Sequence, residues 1–337
     1  MTATAQIKKD IPVRPYHSGA RKRIKSVQGE YYGFEMEVDF PGKNMRQYNC
    51  VVPNGNVVRS RYQLDAETDG SLKNSGVELI TRRPLKVTEV RGKWMDSIIA
   101  RMTDEMGVQR GKQPSNYGLH INVNLEGMTV LEVSAFFATL NFAMSTGEVQ
   151  QGIMERGTTY NGLEGSIQNM VCQVSDKTGI VAKVDKLYNT GMLTNYMLPG
   201  SRQNYAGIRS TKAPIAEIRG FHMNTDITAF KKKAELVQKA RRFANDNVEL
   251  MLNFFVNSLE TSTNVLATMS YPEKAELLDR ILSTPLNAPL VRKQFEPNSR
   301  ALELVAGRLI DKYKYTAELG YNRMPLCDTD GTLRTRQ

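Results

Sequence analysis

Residues 31–40 read YYGFEMEVDF, a strict alternation of side-chain types. Successive side chains of a strand leave opposite faces, so Glu35, Glu37 and Asp39 fall on one side and Phe34, Met36, Val38 and Phe40 on the other. The chain must therefore build a sheet that is apolar on one face and acidic on the other. Like charges side by side repel, and a solvated strand face usually mixes in Thr, Lys and Ser. Three acids without an intervening base thus point to a cation between them. A merely exposed acidic face explains this one stretch equally well, so the decision falls to the later strands.

Three later stretches repeat the pattern. Residues 76–81, GVELIT, put Glu78 and Ile80 on one face, just after the polar turn Asp69-Gly70-Ser71-Leu72. Residues 116–125, NYGLHINVNL, place His120, Asn122 and Asn124 together, with Leu119, Ile121, Val123 and Leu125 opposite. A lone His in a strand is usually a hydrogen-bonded core residue; here it shares its face with two other polar side chains, which makes it a ligand candidate. Residues 215–222, IAEIRGFH, set Glu217 beside Arg219, an acid and a base that can serve a metal and a phosphate in turn.

Between these strands, the turn Pro53-Asn54-Gly55-Asn56 predicts a hairpin of residues 45–52 and 57–63. Helical periodicity covers residues 87–106, ending at Gly107, and residues 129–145. Residues 146–204 are loosely patterned apart from a short helix over 181–188, and read either as an active-site cover or as a surface insertion. After Thr228 the chain turns helical over 229–258, 272–283 and 300–319, with Pro285, Pro289 and Pro297 at the breaks. The expected organisation is a basic arm (1–28), a mixed α+β region on an antiparallel sheet (29–225), a helical region packed on it (226–323) and a polar tail (324–337).

A formal charge of +10 favours an anionic partner: nucleic acid, an acidic peptide or a nucleoside triphosphate. Lys8, Lys9, Arg14, Arg21, Lys22, Arg23 and Lys25 face only Asp10 in the first 28 residues, which read as a flexible arm, either a solvated leader or a contact for nucleic acid or a particle. Lys231-Lys232-Lys233 and Arg241-Arg242 lie in a helical segment and read as a solvated face. Cys50, Cys172 and Cys327 are odd in number and lack zinc or disulfide spacing, so they are expected to be reduced thiols. With no apolar run of membrane-spanning length and no signal-peptide core, the expectation is a soluble cytoplasmic protein without a membrane partner. No phosphate loop, dinucleotide fingerprint or hydrolase elbow is present in the sequence.

The order of these motifs carries a resemblance. An E-x-E strand (Glu35, Glu37), a D-G-S-L turn followed by Glu78, a G-L-H-x-x-V strand (Gly118 to Val123) and a late Arg209 with E-I-R (Glu217 to Arg219) together resemble the amidoligase family, carboxylate-amine ligases related to glutamine synthetase and glutamate-cysteine ligase. The match spans roughly residues 31–225. It implies a sheet of the glutamine-synthetase type whose concave face holds ATP and Mg2+ or Mn2+. It also implies metal binding by Glu35, Glu37, Glu78, His120 and Glu217, catalytic roles for Arg219, Arg209 and Glu217, and nucleotide contacts from Arg209, Arg219 and Asn122. The substrates would be a carboxylate and an amine, an amino acid or peptide among them, and a homo-oligomer is compatible with it.

One departure stands out, because the family's second His is replaced by Asn122, which can hydrogen-bond but cannot exchange a proton near neutral pH. A second reading follows from it: a noncatalytic structural or nucleic-acid-associated protein, such as a phage or virion component, that retains the ligase fold. A magnesium-dependent nuclease fits less well, since its Glu-x-Lys motif would require Lys where Ile80 stands.

Overall fold

The computed structural model describes residues 30–42, 64–67, 71–73, 75–81, 84–125, 127–146, 179–189, 208–212, 215–263, 265–288 and 295–318. The hairpin expected over 45–63, most of 146–204, the basic arm, the polar tail and all three cysteines lie outside the described residues. In chain order the elements are β1 (Tyr31–Asp39), β2 (Leu64–Glu67), β3 (Gly76–Thr81), β4 (Leu85–Lys86), α1 (Val87–Arg91), α2 (Lys93–Asp104), β5 (Gly118–Asn124) and α3 (Val130–Ser145). There follow α4 (Ile180–Asn189), β6 (Ile208–Lys212), β7 (Ile215–His222), α5 (Ile227–Asp246), α6 (Val248–Thr261), α7 (Val265–Thr268), α8 (Tyr271–Leu282) and α9 (Arg300–Glu318).

The strands form one antiparallel sheet in the order β2-β3-β1-β5-β7-β6, and β4 pairs with the start of β1. With helices on it, this is a mixed α+β architecture. The alternation in β1 has the expected result: Phe34, Met36, Val38 and Phe40 are fully buried in the core. Val77 and Leu79 of β3, Leu119, Ile121 and Val123 of β5, and Ala216 and Ile218 of β7 bury the same face. Phe230 of α5 meets Phe34 with ring centroids 5.2 Å apart, and α3 packs along α5, so the helices after β7 share one core with the sheet.

Helix α3 is apolar almost all round, as a helix enclosed by other elements must be. Thr129 caps it in the T-x-x-E arrangement, accepting from the Glu132 amide while Glu132 accepts from the Thr129 amide. Its buried Ser134, Thr139 and Asn141 donate back to the carbonyls four residues earlier, which removes the cost of burying them. Helix α4 docks on α6 and α9: the buried Lys183 Nζ donates to Leu259 O (2.7 Å) and to Ser262 Oγ at the end of α6, and Asp185 pairs with Arg308 at 2.6 Å.

Three expectations need correction. The single helix over 87–106 is two, interrupted at Gly92, whose backbone is extended and where a β-carbon would sit 2.7 Å from Thr88 O. The helix over 229–258 is also two, broken at Asn247, whose side chain turns back to donate to Phe243 O (2.8 Å). The basic residues of α5 do not form one solvated face: Lys232 is exposed, but Lys233 and Arg241 are buried. Lys233 Nζ donates to His222 O, Lys231 pairs with Asp96, and Arg242 grips Glu30 through Nε and Nη2. No helix among the described residues is long and apolar enough to cross a membrane.

Candidate metal centre

Register assembles the polar face. On the two sides of β1, Glu37 stands opposite Glu78 of β3, and Glu35 stands opposite His120 of β5. One strand further, Asn122 of β5 stands opposite Glu217 of β7, and Arg209 of β6 is aligned with Glu217. Side chains directly opposite in neighbouring strands are close enough to interact, so four separate sequence motifs meet on one patch.

His120 is at the centre of that patch and is almost completely buried. Its Nδ1 lies 3.3 Å from Glu35 Oε2, 3.6 Å from Glu217 Oε1 and 3.7 Å from Glu78 Oε1, while Nε2 lies 3.4 Å from Glu37 Oε1. Two sets of groups, Glu35–His120–Glu217 and Glu37–His120–Glu78, each bring three potential ligand atoms within 4.8 Å of one another. Carboxylates gathered this closely are costly to keep charged unless protons, hydrogen bonds or a cation offset their repulsion. An oxygen-rich set suits a hard divalent ion such as magnesium, and the single imidazole widens the choice to manganese.

Several neighbours fix these side chains. The Gly118 amide donates to Glu37 Oε2, the Asn122 amide donates from Nδ2 to Glu35 Oε1 at 2.8 Å, and Arg219 Nε lies 3.3 Å from Glu217 Oε1. Arg219 owes its place to a bulge. Between Leu119 and Ile121 of β5 the partners on β7 step from Phe221 to Ile218, so Arg219 and Gly220 together oppose His120. The extra residue explains why Ile218 and Phe221, three apart, both bury in the core.

All five expected metal ligands, Glu35, Glu37, Glu78, His120 and Glu217, are thus brought together, and Arg219 borders them. Asn122 reaches Glu35 with its amide. Arg209 is described only by its register opposite Glu217. Asp39, third acid of the first strand, stands apart from the cluster: it accepts from the Ser75 hydroxyl, and the Tyr117 hydroxyl lies 3.5 Å away. Sequence reasoning passed over Gly33 and the amide of Gly118. Both were signalled by a glycine standing on the polar face just before a ligand, in G-F-E and in G-L-H. Comparison with protein-family models gave no match to this chain, and comparison with curated proteins gave none.

Proposed function

We propose that this chain is an ATP-dependent carboxylate-amine ligase. The observation that carries the reading is the convergence of Glu35, Glu37, Glu78 and Glu217 on His120, on one face of an antiparallel sheet, with Arg219 at the border. The order of motifs along the chain supports it, and the geometry is compatible with it.

In this reading Glu35, Glu37, Glu78, His120 and Glu217 would hold Mg2+ or Mn2+, and the ion would offset the charge of the nucleotide's phosphates. Arg219, held by Glu217, meets the negative charge that spreads over the transferred phosphoryl group, and Arg209 assists from the neighbouring strand. A substrate carboxylate oxygen attacks the γ-phosphorus as the bond to ADP breaks. The amine then attacks the acyl carbon, phosphate leaves with the bonding electron pair, and the nitrogen's proton passes to the departing phosphate. Amide, ADP and phosphate are the products.

The test is release of ADP and phosphate by the full chain against a panel of carboxylates and amines, amino acids and peptides included. Turnover should require both an acid and an amine. A group acting mainly on the transition state lowers rate more than binding, so Arg219→Ala should lose about a hundredfold or more in kcat while ATP and metal still bind. A chain that binds ATP with metal but turns over no pair in the panel would favour a noncatalytic scaffold.

A further inference from the structure

We propose that Asn122 is a positioning residue whose amide, given room by Gly33, holds Glu35 in the orientation in which its carboxylate joins His120 and Glu217 around a cation. The proposal rests on reading the cluster as a divalent-metal centre. It reassigns Asn122, which sequence reasoning placed on the nucleotide.

Directly opposite Asn122 on β1 stands Gly33, and Glu35 stands opposite His120. Asn122 therefore reaches Glu35 only along the diagonal of the strand pair, a longer path than that between directly opposite residues. Gly33 keeps the path open: a β-carbon there would lie 3.5 Å from Asn122 Cβ, 3.6 Å from Thr81 Oγ1 and 4.0 Å from Asn122 Nδ2. A single methyl is tolerable at those distances, but a branched side chain would occupy the space the amide crosses. Thr81 holds the other side of the strand, its hydroxyl accepting from the Phe34 amide at 2.9 Å.

The hydrogen bond then divides the work of the two Glu35 oxygens. Oε1 accepts from Asn122 Nδ2 at 2.8 Å, which leaves Oε2 toward His120 at 3.3 Å. An amide is well suited to the task, since it donates without carrying a positive charge that would compete with a metal ion. Outer partners that orient a metal ligand are typically worth ten- to a hundredfold in affinity.

The experiment is Mn2+ titration calorimetry on the full chain as wild type, Asn122→Leu, Glu35→Gln, the double variant and Gly33→Val, with metal-free unfolding midpoints as the check on folding. Asn122→Leu should weaken Mn2+ binding about tenfold to a hundredfold. In the Glu35→Gln background the same substitution should change affinity by less than about twofold, because it acts through Glu35 alone. Gly33→Val should weaken binding as Asn122→Leu does, and it leaves every ligand in place should Asn122→Leu not fold. Unchanged affinity in Asn122→Leu, or a full additive loss in the double variant, would overturn the positioning role while leaving the metal centre standing. A wild type that binds no Mn2+ would overturn both.

Discussion

Tyr117 shows how closely the supporting residues are fitted beside the cluster. Its hydroxyl is buried near Asp39, and Gly76 makes room for it: a β-carbon at Gly76 would overlap the Tyr117 hydroxyl and lie 2.7 Å from Leu72 Cβ. Burial first, and then the Asp39 charge, push the Tyr117 phenol up to about 12 from an ordinary value of 10.0. The folded chain therefore holds this proton more tightly than the unfolded chain. The resulting stability is complete below pH 10 and is lost as the pH rises through about 12. Two pH units correspond to roughly 2–3 kcal/mol at most. Urea unfolding between pH 9 and pH 12 should show a steeper loss of stability in wild type than in Tyr117→Phe. Tyr32, pushed up by burial in the same direction, keeps some slope in both proteins. Identical slopes would mean that Tyr117 titrates as it does in the unfolded chain.

At the scale of elements, what could be read in the sequence was whatever periodicity and glycine encode. Strict alternation located β1, β5 and the first part of β7 and assigned their faces, and helical periodicity from Thr129 located α3. The break at Gly92 was within reach, since Gly inside a helical pattern weakens it, but the break at Asn247 depends on a side chain turning back on its own helix. The bulge at Arg219 and Gly220 was also within reach, since Gly220 stands inside the strand and the step from Ile218 to Phe221 breaks the alternation. The buried cations of α5 were misread for another reason: a Lys or Arg signals solvent until a partner is known, and Lys233 finds its partner in the His222 carbonyl, a backbone group invisible to patterning. Arg241 makes a testable case. It is buried beside Tyr32, yet among the described residues its Nη1 has no hydrogen-bond partner of normal geometry. Replacing such a poorly satisfied buried charge by an apolar side chain of similar volume is often neutral or stabilising. Arg241→Met should hold or raise the thermal midpoint; a loss above about 1 kcal/mol would show that the guanidinium contributes more than its contacts indicate.

For the whole molecule, the sheet turns residues scattered over about 180 positions into one centre, because antiparallel register sets β1 between β3 and β5 and places β7 next to β5. In the proposed ligase reading this centre binds a nucleotide together with a divalent metal. Glu37 is the side chain with which to test it, since it is buried, faces His120 and accepts the Gly118 amide, a bond that a glutamine oxygen can also accept. The decisive measurement is the thermal midpoint of wild type and Glu37→Gln with ATP plus Mg2+ or Mn2+. A ligand held only by the folded state stabilises by about 2.7 kcal/mol at a hundredfold excess over its dissociation constant. Wild type should show a clear upward shift, and Glu37→Gln should keep its ligand-free midpoint and lose the shift. No shift in wild type with either metal, or an equal shift in Glu37→Gln, would contradict the assignment of this cluster as the nucleotide–metal centre.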